Sequence, residues 1–438
     1  MRIGIQTWGS DGDVYPFVAL AGGLAAAGHQ VTLAVTGGER KSYDAHGERL
    51  GFGVRAVGYI GRDEEDLNRT ALELFATANP VRQMRLLFER MFDPGVEEIF
   101  AASRELCAAS DLVVAHFILH PLRAAAEIAG TPIATVALNP GGIPSPHVPP
   151  FPAPDLGRWV NLLSWGVAGR LLDRIILPSV NRLRRRVGLA PQRSYRESWE
   201  SPRCSLVGVS PTLFPPPPDW TGRHEVCGFL RPPAGPEPDR VPPELEHFLD
   251  AGPPPVYLTF GSMVTNVVSG AFVADATRLL VGAARAAGCR AIVQSRWELA
   301  GDVARGEDIF PLESAPHLAV FPHCAAVVHH GGAGTTQSAT LSGRLSVVVP
   351  HVLDQYFWGG VLHRLGAAPR AIDRRRATPE SLGRAIRAAV GSRAMGERAR
   401  ELGALMAAED GVGAAVRAIE AEFAASAPRS ARRCPGVG

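Results

Sequence analysis

At 438 residues, with 45 Lys+Arg against 43 Asp+Glu and a formal net charge of +2, the chain has too little basic excess for a general affinity for nucleic acid. Lys41 is its only lysine, which excludes a Schiff-base amine. It also excludes a P-loop, which needs Gly-Lys-Ser/Thr, since Lys41 follows Arg40 in Glu39-Arg40-Lys41-Ser42. Hydrophobic residues at 46% and charged ones at 20% describe a globular chain of two or three domains of roughly 100–200 residues each.

Residues 2–7 read as a buried strand, Gly9-Ser10-Asp11-Gly12-Asp13 as a turn, and Pro16 as the opening of a helix that ends at Gly28. A second strand over 31–35 completes a βαβ start, the mark of a parallel sheet covered by helices. Strands over 111–115 and 132–138 continue it, separated by an Ala-rich helix over 123–129. The prolines between 131 and 154 make a long shaped loop. Residues 155–187 are helical, with Trp159, Trp165, Ile175, Ile176 and Leu183 recurring at multiples of a three-to-four-residue step, a break at Pro178 and an arginine-rich end. A lipid-facing helix fits that pattern, but a core-facing helix pair with a solvated arginine end fits it better. Peripheral membrane contact is therefore not favoured.

Composition then breaks at Pro215-Pro216-Pro217-Pro218 and again at Arg231-Pro232-Pro233, the stiff, extended chemistry of a linker. After it the βα logic restarts. Strands are expected over 255–260, 290–294, 326–328 and 346–349, with helices over 271–287, 378–390 and 393–425. The expected division is a Rossmann-like domain over 1–215, a linker over 216–243, a second such domain over 244–405, a helix over 406–425 packing back on the first domain, and a disordered tail over 426–438. Two such halves make a cleft at the carboxyl ends of their strands. No run of apolar residues is long enough to span a membrane, and no secretory signal is read, so the expected location is cytoplasmic. The six cysteines form no CxxC pair and read as reduced thiols.

Within the second half, Val327-Val328-His329-His330-Gly331-Gly332-Ala333-Gly334-Thr335-Thr336 is a strand, a glycine turn and a helix start. Glycines let a ligand approach the backbone, and free N–H groups converge on an anion at the helix N-terminus. Thr335, Thr336 and His330 add side-chain donors. A turn serving only tight helix–strand packing is the plainer alternative. After the next strand, Asp354-Gln355 offers an acid–amide pair suited to adjacent sugar hydroxyls, while a helix N-cap at Asp354 is the plainer reading. Thr259-Phe260-Gly261-Ser262 is a further strand-to-glycine turn facing the same place.

These motifs resemble the family 1 glycosyltransferases of the GT-B fold. The likeness rests on His-His-Gly-Gly-Ala-Gly-Thr-Thr at 329–336, Asp354-Gln355-Tyr356-Phe357-Trp358-Gly359 downstream and Gly9-Ser10-Asp11-Gly12-Asp13 upstream. It is strongest toward the sterol glucosyltransferases and the bacterial enzymes that glycosylate glycopeptides, macrolides and polyketides, and it covers nearly the whole chain. It implies an α/β fold of two Rossmann-like parallel-sheet domains facing across a cleft, with a C-terminal helix crossing back. It also implies inverting transfer from a UDP- or dTDP-sugar to a hydroxyl of an apolar acceptor, with no metal and no cofactor beyond the sugar nucleotide. By position, His330, Gly332, Gly334 and Thr335 would hold the diphosphate, with Ser10, Gly261 and Ser262 nearby. Asp354 and Gln355 would hold the sugar, and His317 and Trp297 would line the nucleoside pocket. Arg296 and Glu298 replace the glycines usual around that tryptophan.

Asp13 matches the family's carboxylate in the first half and stands on the first strand-to-helix loop. A carboxylate in a partly desolvated cleft can take the proton of an attacking hydroxyl. A helix N-cap is its plainer reading. His116 and His120 follow the strand over 111–115 and are candidates to assist or replace it. A lipid or sterol glucosyltransferase is the first alternative, and a GT-B nucleotide-sugar epimerase a more distant one. A Rossmann oxidoreductase is excluded, because residues 9–13 lack the Gly-x-Gly-x-x-Gly spacing.

Overall fold

The computed structural model describes residues 1–37, 42–58, 64–231, 241–261, 270–301, 303 and 306–423. Lys41, Ser262, part of the expected linker and the expected tail lie outside the described residues. The first half is a seven-stranded sheet, β1 (Arg2–Gly9), β2 (Gln30–Gly37), β3 (Gly53–Ala56), β4 (Leu112–His116), β5 (Ile133–Ala137), β6 (Cys204–Val207) and β7 (His224–Val226). Its spatial order is β3-β2-β1-β4-β5-β6-β7, and every pairing is parallel. The second half holds β8 (Val256–Leu258), β9 (Ala291–Gln294), β10 (Ile309–Leu312), β11 (Ala326–His329) and β12 (Leu345–Val348), ordered β10-β9-β8-β11-β12 and again all parallel.

Continuous apolar runs such as Leu112-Val113-Val114-Ala115 are buried throughout, as strands covered by helices on both faces must be. Side chains alternate between those faces. Leu112 and Val114 join Ile3, Ile5 and Leu33 in one core, with Phe17, Leu20 and Leu24 of the helix Asp11–Ala26. Val113 and Ala115 enter the opposite core with the helices Val96–Ala109 and His120–Ala129. The last helix, Gly411–Phe423, buries Ala415, Val416, Ile419 and Phe423 in the first of these cores. Each large side chain so buried contributes about 1.5–3 kcal/mol, which binds the end of the chain to its beginning. In the other direction, Ala71, Leu74 and Phe75 of the helix Glu64–Ala76 enter the core of the second sheet. Both halves therefore reach across the cleft.

Four expectations change. First, β7 lies inside the stretch expected to be linker, because Ser205, Leu206 and Val207 pair with residues 224–226. Second, the helix Arg158–Arg186 runs through Pro178 unbroken. Pro178 is on the exposed side, where the carbonyl it leaves unpaired meets water. Third, that helix is not core-facing throughout. Ile175, Ile176, Val180 and Leu183 are buried, whereas Trp159 is 78% and Leu163 71% exposed. Its arginine end is not wholly solvated either: Arg184 is buried and donates twice to Glu127, at 2.8 and 3.0 Å. The expected single helix over 393–425 is two, Arg393–Ala407 and Gly411–Phe423.

Candidate active site

β11 ends at the cleft, and His330, Gly331 and Gly332 turn the chain into the helix Ala333–Leu341. Gly331 has φ +93°, and a Cβ there would stand 2.7 Å from the carbonyl oxygen of Gln355. The His330 ring is clasped between two glycines. A Cβ on Gly261 would lie 2.4 Å from its Cε1, and one on Gly332 would lie 2.4 Å from its Nε2. Gly334 is different, for a Cβ there would meet nothing within 4 Å. Protein packing does not demand that glycine, and the space beside it is open to a ligand at the helix N-terminus.

Burial pushes His330 down to about 4, with His317 adding to the effect, so the imidazole is neutral at pH 7. Its Nδ1 is buried without a partner among the described residues. His329 points elsewhere. Its Nδ1 accepts the Gly331 N–H at 3.1 Å and helps shape the turn. Thr335 and Thr336 are buried at the helix start, and Thr336 Oγ1 has no partner among the described residues.

Asp354 is the first residue of the helix Asp354–Arg364. Desolvation and the charge of Asp13 together push it up to about 7. Asp13 in turn is pushed up to about 6 by desolvation, although its side chain is 40% exposed to the cleft. The charge of Asp13, in the first half, therefore reaches Asp354, in the second, across the cleft. Gln355 does something else. It is buried, and its Oε1 accepts from the N–H groups of His351 and Val352 at 2.8 and 3.1 Å, which organises the loop. Only its amide N–H groups remain to meet a sugar.

Asp13 occupies the third position of its helix and forms a capping box with Ser10. Its Oδ2 accepts from Ser10 N–H at 2.9 Å and from Ser10 Oγ–H at 3.2 Å. The expected N-cap role is thus present, displaced onto Ser10, while Oδ1 faces His116. His116 Nε2 is 3.9 Å from Oδ1, too far for a hydrogen bond, and burial pushes the ring down to about 3. His120 is turned away. It packs edge-on against Phe92, its Nε2 is 3.4 Å from Ser179 Oγ, and it too is held near 3.

Toward the nucleoside end, His317 stacks on Phe321 at 4.5 Å, and burial pushes it down to about 4, against the charge of Asp11. Asp11 itself accepts from Tyr43 Oη–H at 2.8 Å. A tyrosine 32 residues away could not be tied to Asp11 by any local signal. Trp297 has its ring buried against the second core, and its N–H donates to Val293 O at 3.0 Å. Arg296 pairs with Glu298 at 2.9 Å on the surface. Among the described residues, no group of three or more His, Cys, Asp or Glu could hold a metal ion. No helix among them is long and apolar enough to cross a membrane.

Residues 305–421 match the family described as the C-terminal domain of erythromycin biosynthesis protein CIII-like proteins. The chain is 34% identical to O-mycaminosyltylonolide 6-deoxyallosyltransferase of Streptomyces fradiae, over 96% of this chain and 97% of that one. It is 28% identical to sterol 3-beta-glucosyltransferase of Arabidopsis thaliana, over 96% of this chain and 68% of that one. Among solved structures, the glycosyltransferase of kitacinnamycin superposes with a TM-score of 0.66 at 22% identity, covering 96% of this chain and 98% of its own.

Proposed function

The chain belongs to the family 1 glycosyltransferases of the GT-B fold, and from that premise we propose an inverting, metal-independent transfer of a sugar from a UDP- or dTDP-activated donor to a hydroxyl of an apolar, polyketide- or macrolide-like acceptor. The observation that carries this reading is the opposition of Asp13 and Asp354 across the cleft, with the His330–Gly334 turn on the Asp354 side. A sugar held at Asp354 has its diphosphate toward the turn and its other face toward Asp13. Asp13 takes the proton of the acceptor hydroxyl as that oxygen bonds to the anomeric carbon. The bond from that carbon to the phosphate oxygen breaks on the opposite face, which inverts the configuration. The departing diphosphate meets backbone N–H groups, the helix N-terminus and the His330 N–H, donors already oriented before charge develops. Asp13, near 6, is ionised at pH 7.5, whereas His116, near 3, is too weak a base for the task.

An apolar acceptor suits the exposed face of the helix Arg158–Arg186. Trp159, Leu163 and Val167 stand exposed there, and Phe151 before it stacks on Tyr356 of the second half at 6.0 Å. The deoxyhexosyl transfer named for the Streptomyces relative favours a macrolactone over a sterol. The test is incubation of the protein with UDP-glucose or dTDP-deoxyhexoses and, in parallel, a macrolactone, a sterol or no acceptor. Mass spectrometry should find a macrolactone heavier by one glycosyl unit. Conversion of the donor alone into an epimer would replace this reading with that of an epimerase, and a glycosylated sterol would replace the acceptor class.

A further inference from the structure

Gln83 lies in the short helix Pro80–Arg85 of the first half, yet its side chain is 3% exposed and reaches the second half. Its Oε1 accepts the N–H of Leu353 at 3.2 Å, and its Nε2 donates to Thr77 O at 2.8 Å and to His351 O at 3.4 Å. Leu353 has φ 38° and ψ −118° and immediately precedes Asp354. No other non-glycine among the described residues has positive φ. Such a conformation disfavours any residue with a Cβ and persists only where its surroundings over-determine it.

Four backbone polar groups of residues 351–353 divide between two glutamine side chains. His351 N–H and Val352 N–H go to Gln355, from within the loop. Leu353 N–H and His351 O go to Gln83, from the other half. Phe75 closes the same contact, edge-on to His351 at 5.6 Å and stacked on Phe272 at 5.3 Å. Without Gln83, a half-buried N–H would lose its partner in the most strained residue of the loop, and relaxation of Leu353 toward ordinary φ would swing Asp354.

We propose that Gln83 is a positioning residue that holds the strained loop so that Asp354 is aimed at the donor sugar. The sugar subsite is then complete only while the acceptor-side half is docked against it. This rests on the reading of Asp354 as a sugar ligand. Gln83 touches the loop and not the sugar, so the effect of losing it should be confined to the sugar.

The experiment compares wild type, Gln83→Met and Asp354→Asn by titration calorimetry with UDP and dTDP and with the corresponding sugar nucleotides. Gln83→Met should bind the bare diphosphates as wild type does and lose about tenfold in affinity for the sugar nucleotides. The donor KM should rise more than that of the acceptor. Because Gln83→Met leaves Leu353 strained, the double variant Gln83→Met/Leu353→Gly, in which glycine adopts the positive φ freely, should recover part of the sugar-dependent affinity. It also serves if the single variant folds poorly. Equal weakening of both ligand sets would make Gln83 a purely structural residue and overturn the proposal. Loss of sugar affinity in Asp354→Asn with none in Gln83→Met overturns the clamp and leaves the reading of Asp354 standing. No loss in Asp354→Asn refutes that reading, and the clamp with it.

Discussion

Asp13→Asn separates two roles that the structure superimposes on one side chain, base and helix cap. The amide oxygen of asparagine can keep both bonds from Ser10, now at 2.9 and 3.2 Å, so the capping box survives. What disappears is the charge. The native carboxyl is raised from 3.8 to about 6, so between those values the folded protein keeps a proton that the unfolded chain has lost. Wild-type stability therefore falls as pH rises through 4 to 6 and is flat above. Two pH units correspond to about 3 kcal/mol. With the side chain 40% exposed, solvent screening reduces this to about 1–1.5 kcal/mol. Loss of a negative charge from the first turn of a helix costs about 0.3–1 kcal/mol in return.

The balance is a variant as stable as wild type or up to about 1 kcal/mol more stable at pH 7.5, with the gain absent at pH 4. Transfer should fall by about 10²–10⁴, the range for a general base, while sugar-nucleotide affinity is kept. The acid limb of kcat/KM near pH 6 should disappear with it. Thermal unfolding at the two pH values, turnover by product mass and donor calorimetry measure each part. Unchanged turnover removes Asp13 from the chemistry. Lost turnover accompanied by a clear drop in Tm at pH 7.5 would make it a cap whose loss disorders the loop.

Three further substitutions probe the donor side. Gly332→Ala drives a Cβ into His330 and should weaken UDP and dTDP binding by tenfold or more with a loss of stability, whereas Gly334→Ala, which meets no protein atom, should weaken binding with Tm unchanged, both read by calorimetry and thermal unfolding. Gln355→Ala leaves the N–H groups of His351 and Val352 unpaired and should cost about 2–4 kcal/mol in denaturant unfolding, and a stable Gln355→Ala that merely binds donor weakly would return Gln355 to a purely sugar-binding role.

What was legible in the sequence was whatever is local in the chain. The turn at 329–336 and the loop at 9–13 announce themselves because strand, glycines and helix start are contiguous, and their chemistry follows from residue type and order. The strand-and-helix alternation of both halves was legible for the same reason. Hidden features were those decided by distant partners. His120 and His116 look alike four residues apart, yet one packs on Phe92 and the other faces Asp13. The setting of Trp297 was hidden too, because burial in the second core, not its neighbours in sequence, decides where its ring lies. Gln83 carried no signal at all, being one polar residue in a short helix.

Having a single lysine sharpens the electrostatics of the cleft into a final expectation. His330 and His317, at the places expected for diphosphate and nucleoside, are both held near 4 and are uncharged at pH 7. A doubly charged diphosphate must be met there by backbone N–H groups and a helix terminus, whose partial charge is about half a unit. Near them stand two carboxylates, Asp354 in the same half and Asp13 across the cleft, already raised to about 7 and 6. Bringing a further anion beside them favours their protonated forms. Asp354 is the higher of the two and the nearer to the turn in chain and fold, so it should take the proton, leaving Asp13 ionised as the base. A protonated Asp354 also gains a donor for a sugar hydroxyl. Binding of sugar nucleotide at pH 7.5 should therefore take up a fraction of a proton, visible as a dependence of calorimetric enthalpy on the ionisation enthalpy of the buffer. The uptake should shrink in Asp354→Asn. Proton release on binding, or uptake unaltered by that substitution, would refute this division of labour between the two carboxylates.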